Sequence, residues 1–114
     1  MVMSETGRFE IVEESKGTDR IRLRIQGDLD VDSSPRLYAL LNQYFNQNIN
    51  HIHIALDDVP RMDSSGIATL VAGLRWGQRS GGHFVLTGLT DTVRDLFELS
   101  KLDQEFELVN EAAS

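Results

Sequence analysis

Cysteine is absent from this chain of 114 residues, which excludes disulfides, thiolate zinc sites and cysteine nucleophiles. No apolar run approaches the roughly 20 residues that span a bilayer. The opening stretch Met1-Val2-Met3-Ser4-Glu5-Thr6 lacks the basic and apolar parts of a secretory leader, so a cytoplasmic location without membrane insertion is expected. Basic residues are scarce as well: 11 Lys and Arg against 18 Asp and Glu leave a net charge of −7. The arginines that exist are scattered among acids, which argues against direct binding of nucleic acid. An acidic surface fits a basic protein partner, or simply keeps a small domain in solution.

What is present suits one hydrophobic core. With 40% hydrophobic and 25% charged residues, the chain reads as a single domain over 1–114, its core spanning about 8–110 and its last residues forming a loose tail. Residues 9–14 read as a strand and Lys16-Gly17-Thr18-Asp19 as a turn. Ile21, Leu23 and Ile25 alternate with Arg22, Arg24 and Gln26, so a second strand returns on the first as a hairpin. Asp32-Ser33-Ser34-Pro35 supplies a cap and an early proline for a helix whose buried stripe is Leu37, Leu40, Leu41, Tyr44 and Phe45.

Period-two alternation predicts a strand over 51–56, broken by Asp57-Asp58-Val59-Pro60. Ile67, Leu70, Val71 and Leu74 recur at helical spacing, and Gly81-Gly82 stops that helix. A strand over 83–86 follows, then a helix with the face Leu89, Val93, Leu96, Phe97 and Ser100, capped by Thr90 or Asp91, and a last strand over 106–109. The order ββαβαβαβ predicts an α/β fold. Its sheet is mostly parallel, with an antiparallel hairpin at one edge.

Between the central strand and its helix lies Asp63-Ser64-Ser65-Gly66. Serines at a helix start are ordinary caps, yet the same unpaired N–H groups tolerate added negative charge, so a modification site is the alternative. Other chemistries fit less well. A serine hydrolase wants a Gly-x-Ser-x-Gly elbow, which is missing, as are phosphate-loop and dinucleotide fingerprints. Asp57, Asp58 and Asp63 lack the further acidic pair and lysine of a receiver site. His51 and His53 share a strand face, but with His83 far along the chain they read as half-buried side chains rather than metal ligands. Neither a cofactor nor a metal is expected. Trp76 falls off the apolar stripe of its helix, either flanking a partner surface or packing beneath the final helix.

The segment from Val59 through Ala68, the later Gly81-Gly82, the run from Leu89 through Leu102, and the turn Gly27-Asp28-Leu29-Asp30 together resemble the STAS domain. More narrowly, they are similar to bacterial anti-sigma factor antagonists, in which that turn reads Gly-Glu-Leu-Asp. The resemblance implies a non-enzymatic switch. The serine after the aspartate, here Ser64, would be phosphorylated by an anti-sigma factor that is a serine kinase, and a serine phosphatase would reverse it. The unphosphorylated form would capture the anti-sigma factor and free a sigma factor for transcription. The partner-binding surface implied is Asp30, Asp58, Arg61, Met62, Asp63, Ser64, Ser65 and Gly66. A STAS subunit docked on a lipid-transport ABC system is the other role that this resemblance leaves open.

Overall fold

Alternating apolar residues in the second and third strands set the centre of the fold. The computed structural model describes residues 9–109, which form a five-stranded sheet and three helices. The elements are β1 (Glu10–Lys16), β2 (Arg20–Gln26), α1 (Ser34–Asn46), β3 (His51–Asp58), α2 (Ser64–Ser80), β4 (His83–Thr87), α3 (Asp91–Leu99) and β5 (Glu107–Val109). The expected tail over 110–114 lies outside the described residues. Strand order in the sheet follows chain order; the β1–β2 hairpin is antiparallel and every later pairing is parallel, as the sequence predicts. Each right-handed crossover steps one strand onward in the same direction, so the helices gather on one face.

That face holds the core: Ile21, Leu23 and Ile25 of β2, Ile52, Ile54 and Leu56 of β3, and Leu86 of β4 are all buried. Helix α2 lies unusually close to the sheet. A Cβ at Gly73 would sit 2.5 Å from atoms of the Phe84 ring, so only glycine admits the approach. Of the four apolar residues that periodicity assigns to the buried stripe of α2, Leu70 is buried while Ile67, Val71 and Leu74 are half-buried. Gly66, Thr69, Gly73 and Gly77 take the remaining contact positions. A hydrophobic pattern does not register glycine, which contributes by letting backbones meet. In α3 the expected face is right at Val93 and Phe97, but Ser100 is exposed because the helix ends at Leu99. Trp76 packs against α1, between Tyr38 and Phe45, and not beneath the final helix.

Polar side chains cover the other face. Glu14 accepts from Arg22 Nε (3.0 Å) and Arg24 Nε (2.7 Å), and Arg24 Nη1 reaches Asp57 Oδ1 (3.2 Å). The Arg24 hydrogen bond is the main reason that the Glu14 carboxyl is held below its ordinary range. His53 Nε2 lies 3.1 Å from Thr87 Oγ1 and 3.2 Å from Arg22 Nη1. Parallel register also sets His51 beside His83, with their rings stacked 5.3 Å apart. The two lie far apart in the sequence, and chain distance says nothing of strand neighbours.

Tyr44 gives the fold an alkaline limit. Burial, and then the hydrogen bond that its hydroxyl donates to Glu13 Oε2 (3.0 Å), push its pKa up to about 12. A raised folded-state pKa makes this contribution complete below the ordinary tyrosine value of roughly 10. It is lost as pH rises from there toward about 12. Chemical denaturation across that window is expected to show a fall in stability that Tyr44→Phe shows to a smaller extent.

Candidate modification and partner-binding site

The first turn of α2 is organised by an aspartate. Asp63 adopts extended backbone geometry (φ −113°, ψ −173°), and its Oδ1 accepts from the N–H groups of Ser65 (2.8 Å) and Gly66 (3.2 Å). It is therefore the N-cap, and neither serine holds that role. Its second oxygen accepts from Val31 N–H at 3.2 Å, which ties the helix start to the loop after β2.

Leu29 stitches that loop in place from beneath. Its N–H donates to Arg61 O (3.0 Å) and its carbonyl accepts from Asp63 N–H (3.2 Å), forming an isolated parallel bridge to Met62. Gly66 sits directly over it, where a Cβ would fall 2.7 Å from both Leu29 O and Met62 Cγ. The turn holds itself through Asp30, whose Oδ1 accepts from the N–H groups of Asp32 (3.0 Å) and Ser33 (3.1 Å). Ser33 stands at the N-cap position of α1, as expected, but its side chain does not cap the helix: its hydroxyl donates to Asp28 O (2.8 Å) instead.

The structure thus brings together Asp30, Arg61, Met62, Asp63, Ser64, Ser65 and Gly66 on two neighbouring loops and the first turn of α2. Met62 is half-buried against the core, whereas Arg61 is exposed and pairs with Asp28 (3.2 Å). Asp58 stands at the root of the same loop. Its carbonyl accepts from Gly27 N–H (2.9 Å), and its carboxylate lies 3.7 Å from Arg24 on the polar side of the sheet. Sequence reasoning missed Val31, an apolar side chain 64% exposed beside the Asp63 carboxylate. No periodicity marks it, because its importance comes from a contact between residues 32 positions apart.

Ser64 is the first residue of α2, exposed, and its hydroxyl has no hydrogen-bond partner among the described residues. It is an accessible alcohol at the positive end of a 17-residue helix. Unpaired N–H groups and the helix dipole favour negative charge at such a position. Because the cap is Asp63, Ser64→Ala is expected to shift stability by less than about 0.5 kcal/mol. Asp63→Ala removes three accepted hydrogen bonds and is expected to cost about 1–2 kcal/mol. Paired thermal melts check both; a Ser64→Ala loss equal to that of Asp63→Ala would contradict this division of roles.

Comparison with known proteins follows the same lines. The STAS domain family model matches residues 11–114. The anti-sigma-B factor antagonist of Bacillus subtilis is 30% identical over 91 residues, covering 80% of this chain and 83% of that protein. Among solved structures, a Thermotoga maritima protein, proposed there to be an anti-sigma factor antagonist, superposes with a TM-score of 0.79 at 21% identity, over 96% of this chain and 91% of that one. The Bacillus cell fate determinant SpoIIAA in its phosphorylated form gives 0.70 at 22% identity, over 92% and 94%.

Proposed function

Because the chain belongs to the STAS domain family, and within it to the anti-sigma factor antagonists, we propose that it is a phosphorylation-controlled partner switch in transcription. Its partner is an anti-sigma factor that doubles as a serine kinase, and Ser64 is the acceptor. A serine phosphatase returns it to the binding form. In this reading the protein works in the cytoplasm as a regulator and not as a catalyst.

One observation carries this reading: Ser64, at the helix start, has a hydroxyl with no hydrogen-bond partner among the described residues, immediately after a cap that needs no help from it. A phosphoserine adds about −1.5 to −2 charges beside the Asp63 carboxylate. The helix N–H dipoles offset that charge within the domain, but a partner seated on the loop meets it directly. Asp30, Asp58, Arg61, Met62, Ser65 and Gly66 form the rim of the docking surface around it. That a similar structure is of a phosphorylated protein supports the reading.

The test is phosphoryl transfer to the purified protein by its isolated partner and ATP, followed by peptide mapping. One phosphate on Ser64, absent in Ser64→Ala, is the expected result. Phosphate on Ser65, Thr90 or Thr92 overturns the assignment of the acceptor. A partner without kinase activity that binds modified and unmodified protein alike overturns the switch, and the transporter role replaces it.

A further inference from the structure

Charge is distributed unevenly over this molecule. The chain carries 18 acidic residues, yet α1 and α2, 13 and 17 residues long, contain none. Their charged residues are all arginines: Arg36 on α1, Arg75 and Arg79 on α2. Arg36 is engaged, donating to Phe9 O at 3.2 Å with its guanidinium over the Phe9 ring. Arg75 and Arg79 are exposed and have no ion-pair partner among the described residues.

Beside these two arginines the seam between the helices is aromatic. Tyr38, 46% exposed, meets Trp76 with ring centroids 5.2 Å apart, and Phe45 meets the same indole at 5.7 Å. At helical spacing Ala72, Arg75, Trp76 and Arg79 share one side of α2. An aromatic cluster bordered by unpaired arginines has the composition of an interface hot spot. Its arginines begin about 16 Å along the helix axis from Ser64, roughly eleven residues at 1.5 Å each. It is therefore a surface separate from the loop that bears the serine.

We propose that this outer face of α1 and α2 is a docking surface for an acidic, partly apolar segment of a partner protein, with Tyr38 and Trp76 as apolar anchors and Arg75 and Arg79 as the charge contacts. Three other occupants fit less well. The rings are tilted 52° and 55° to one another and offer no flat platform on which bases stack. Two free arginines fall short of the basic clusters of about four to eight residues that recognise anionic lipid. A two-fold dimer through this face would set arginine against arginine.

Trp76 is the only tryptophan of the chain, so its fluorescence reports on this face alone. The probe is a short synthetic helical peptide of glutamate and leucine, with a lysine and leucine peptide of equal length as control. A saturable emission shift with the glutamate peptide only, its affinity reduced about tenfold or more in Arg75→Glu/Arg79→Glu, is the expected result. Both arginines are exposed, and circular dichroism confirms that the double variant folds; Tyr38→Ala provides a second, uncharged test and should weaken the shift similarly. The absence of a shift, an equal response to both peptides, or an unchanged affinity in the double variant overturns the proposal. Tighter binding to phosphatidylglycerol vesicles than to the peptide, or a shift with protein concentration alone, also overturns it, assigning the face to lipid or to a second copy of the chain.

Discussion

Protein phosphorylated on Ser64 is expected to bind its anti-sigma factor about a hundredfold to a thousandfold more weakly than the unmodified form. Two like charges about 4 Å apart cost on the order of 4 kcal/mol at an effective dielectric of 20, and each 1.4 kcal/mol is a factor of ten in affinity. Salt screening reduces this at an exposed site, which sets the lower end of the range. The Ser64 hydroxyl makes no hydrogen bond within the described residues, so Ser64→Ala should keep wild-type affinity within a few-fold. Ser64→Asp adds about half the charge of phosphate and fewer acceptor oxygens, so its affinity should fall between the two. Titration calorimetry with the isolated partner orders the forms. Equal affinities for all of them would mean that the loop lies outside the interface.

Gly66→Ala is expected to be the most damaging small change at this site. The added Cβ would fall 2.7 Å from the Leu29 carbonyl oxygen, 2.7 Å from Met62 Cγ and 2.9 Å from Leu29 Cγ. Methionine can yield, but Leu29 is fully buried and its peptide group bonds to Arg61 and Asp63. Relief therefore means prising the turn away from the helix. Overpacking of this kind costs about 1–3 kcal/mol, against which alanine recovers at most about 1 kcal/mol of helix propensity. The net loss should lower the melting temperature by several degrees and weaken partner binding together with it. Gly77→Ala is the internal control, since its nearest foreign atom lies at an ordinary 3.5 Å. Equal stability of the two variants would show that the loop moves freely and that its geometry does not depend on the glycine.

Element order and type were legible because they arise from local rules. Alternation in β2 and β3, the stop at Gly81-Gly82 and the Thr90 cap, which accepts from Val93 N–H at 3.4 Å, concern neighbours in the chain. The same holds for the placing of Ser64 at a helix start, and with the motif residues around it this was enough to indicate the family. Local reasoning could not say which group caps α2. Aspartate and serine both have the chemistry, and only the backbone geometry at residue 63 decides for the carboxylate.

What tertiary structure alone decided are the contacts between distant residues. The bridge of Leu29 to Met62 and the tie of Val31 to Asp63 join loops more than 30 positions apart, and they turn an isolated serine motif into a surface with an exposed valine beside it. The close seating of α2 on Phe84 depends on Gly73, which has no side chain for a hydrophobic pattern to detect. Likewise, four of the arginines that look scattered in the sequence gather as two pairs in space. Arg22 and Arg24 join the polar network across the sheet, whereas Arg75 and Arg79 stand beside Trp76 with no ion-pair partner among the described residues. Periodicity assigns a residue to a face of its own element; which other element meets that face is settled by packing, where chain separation no longer measures distance.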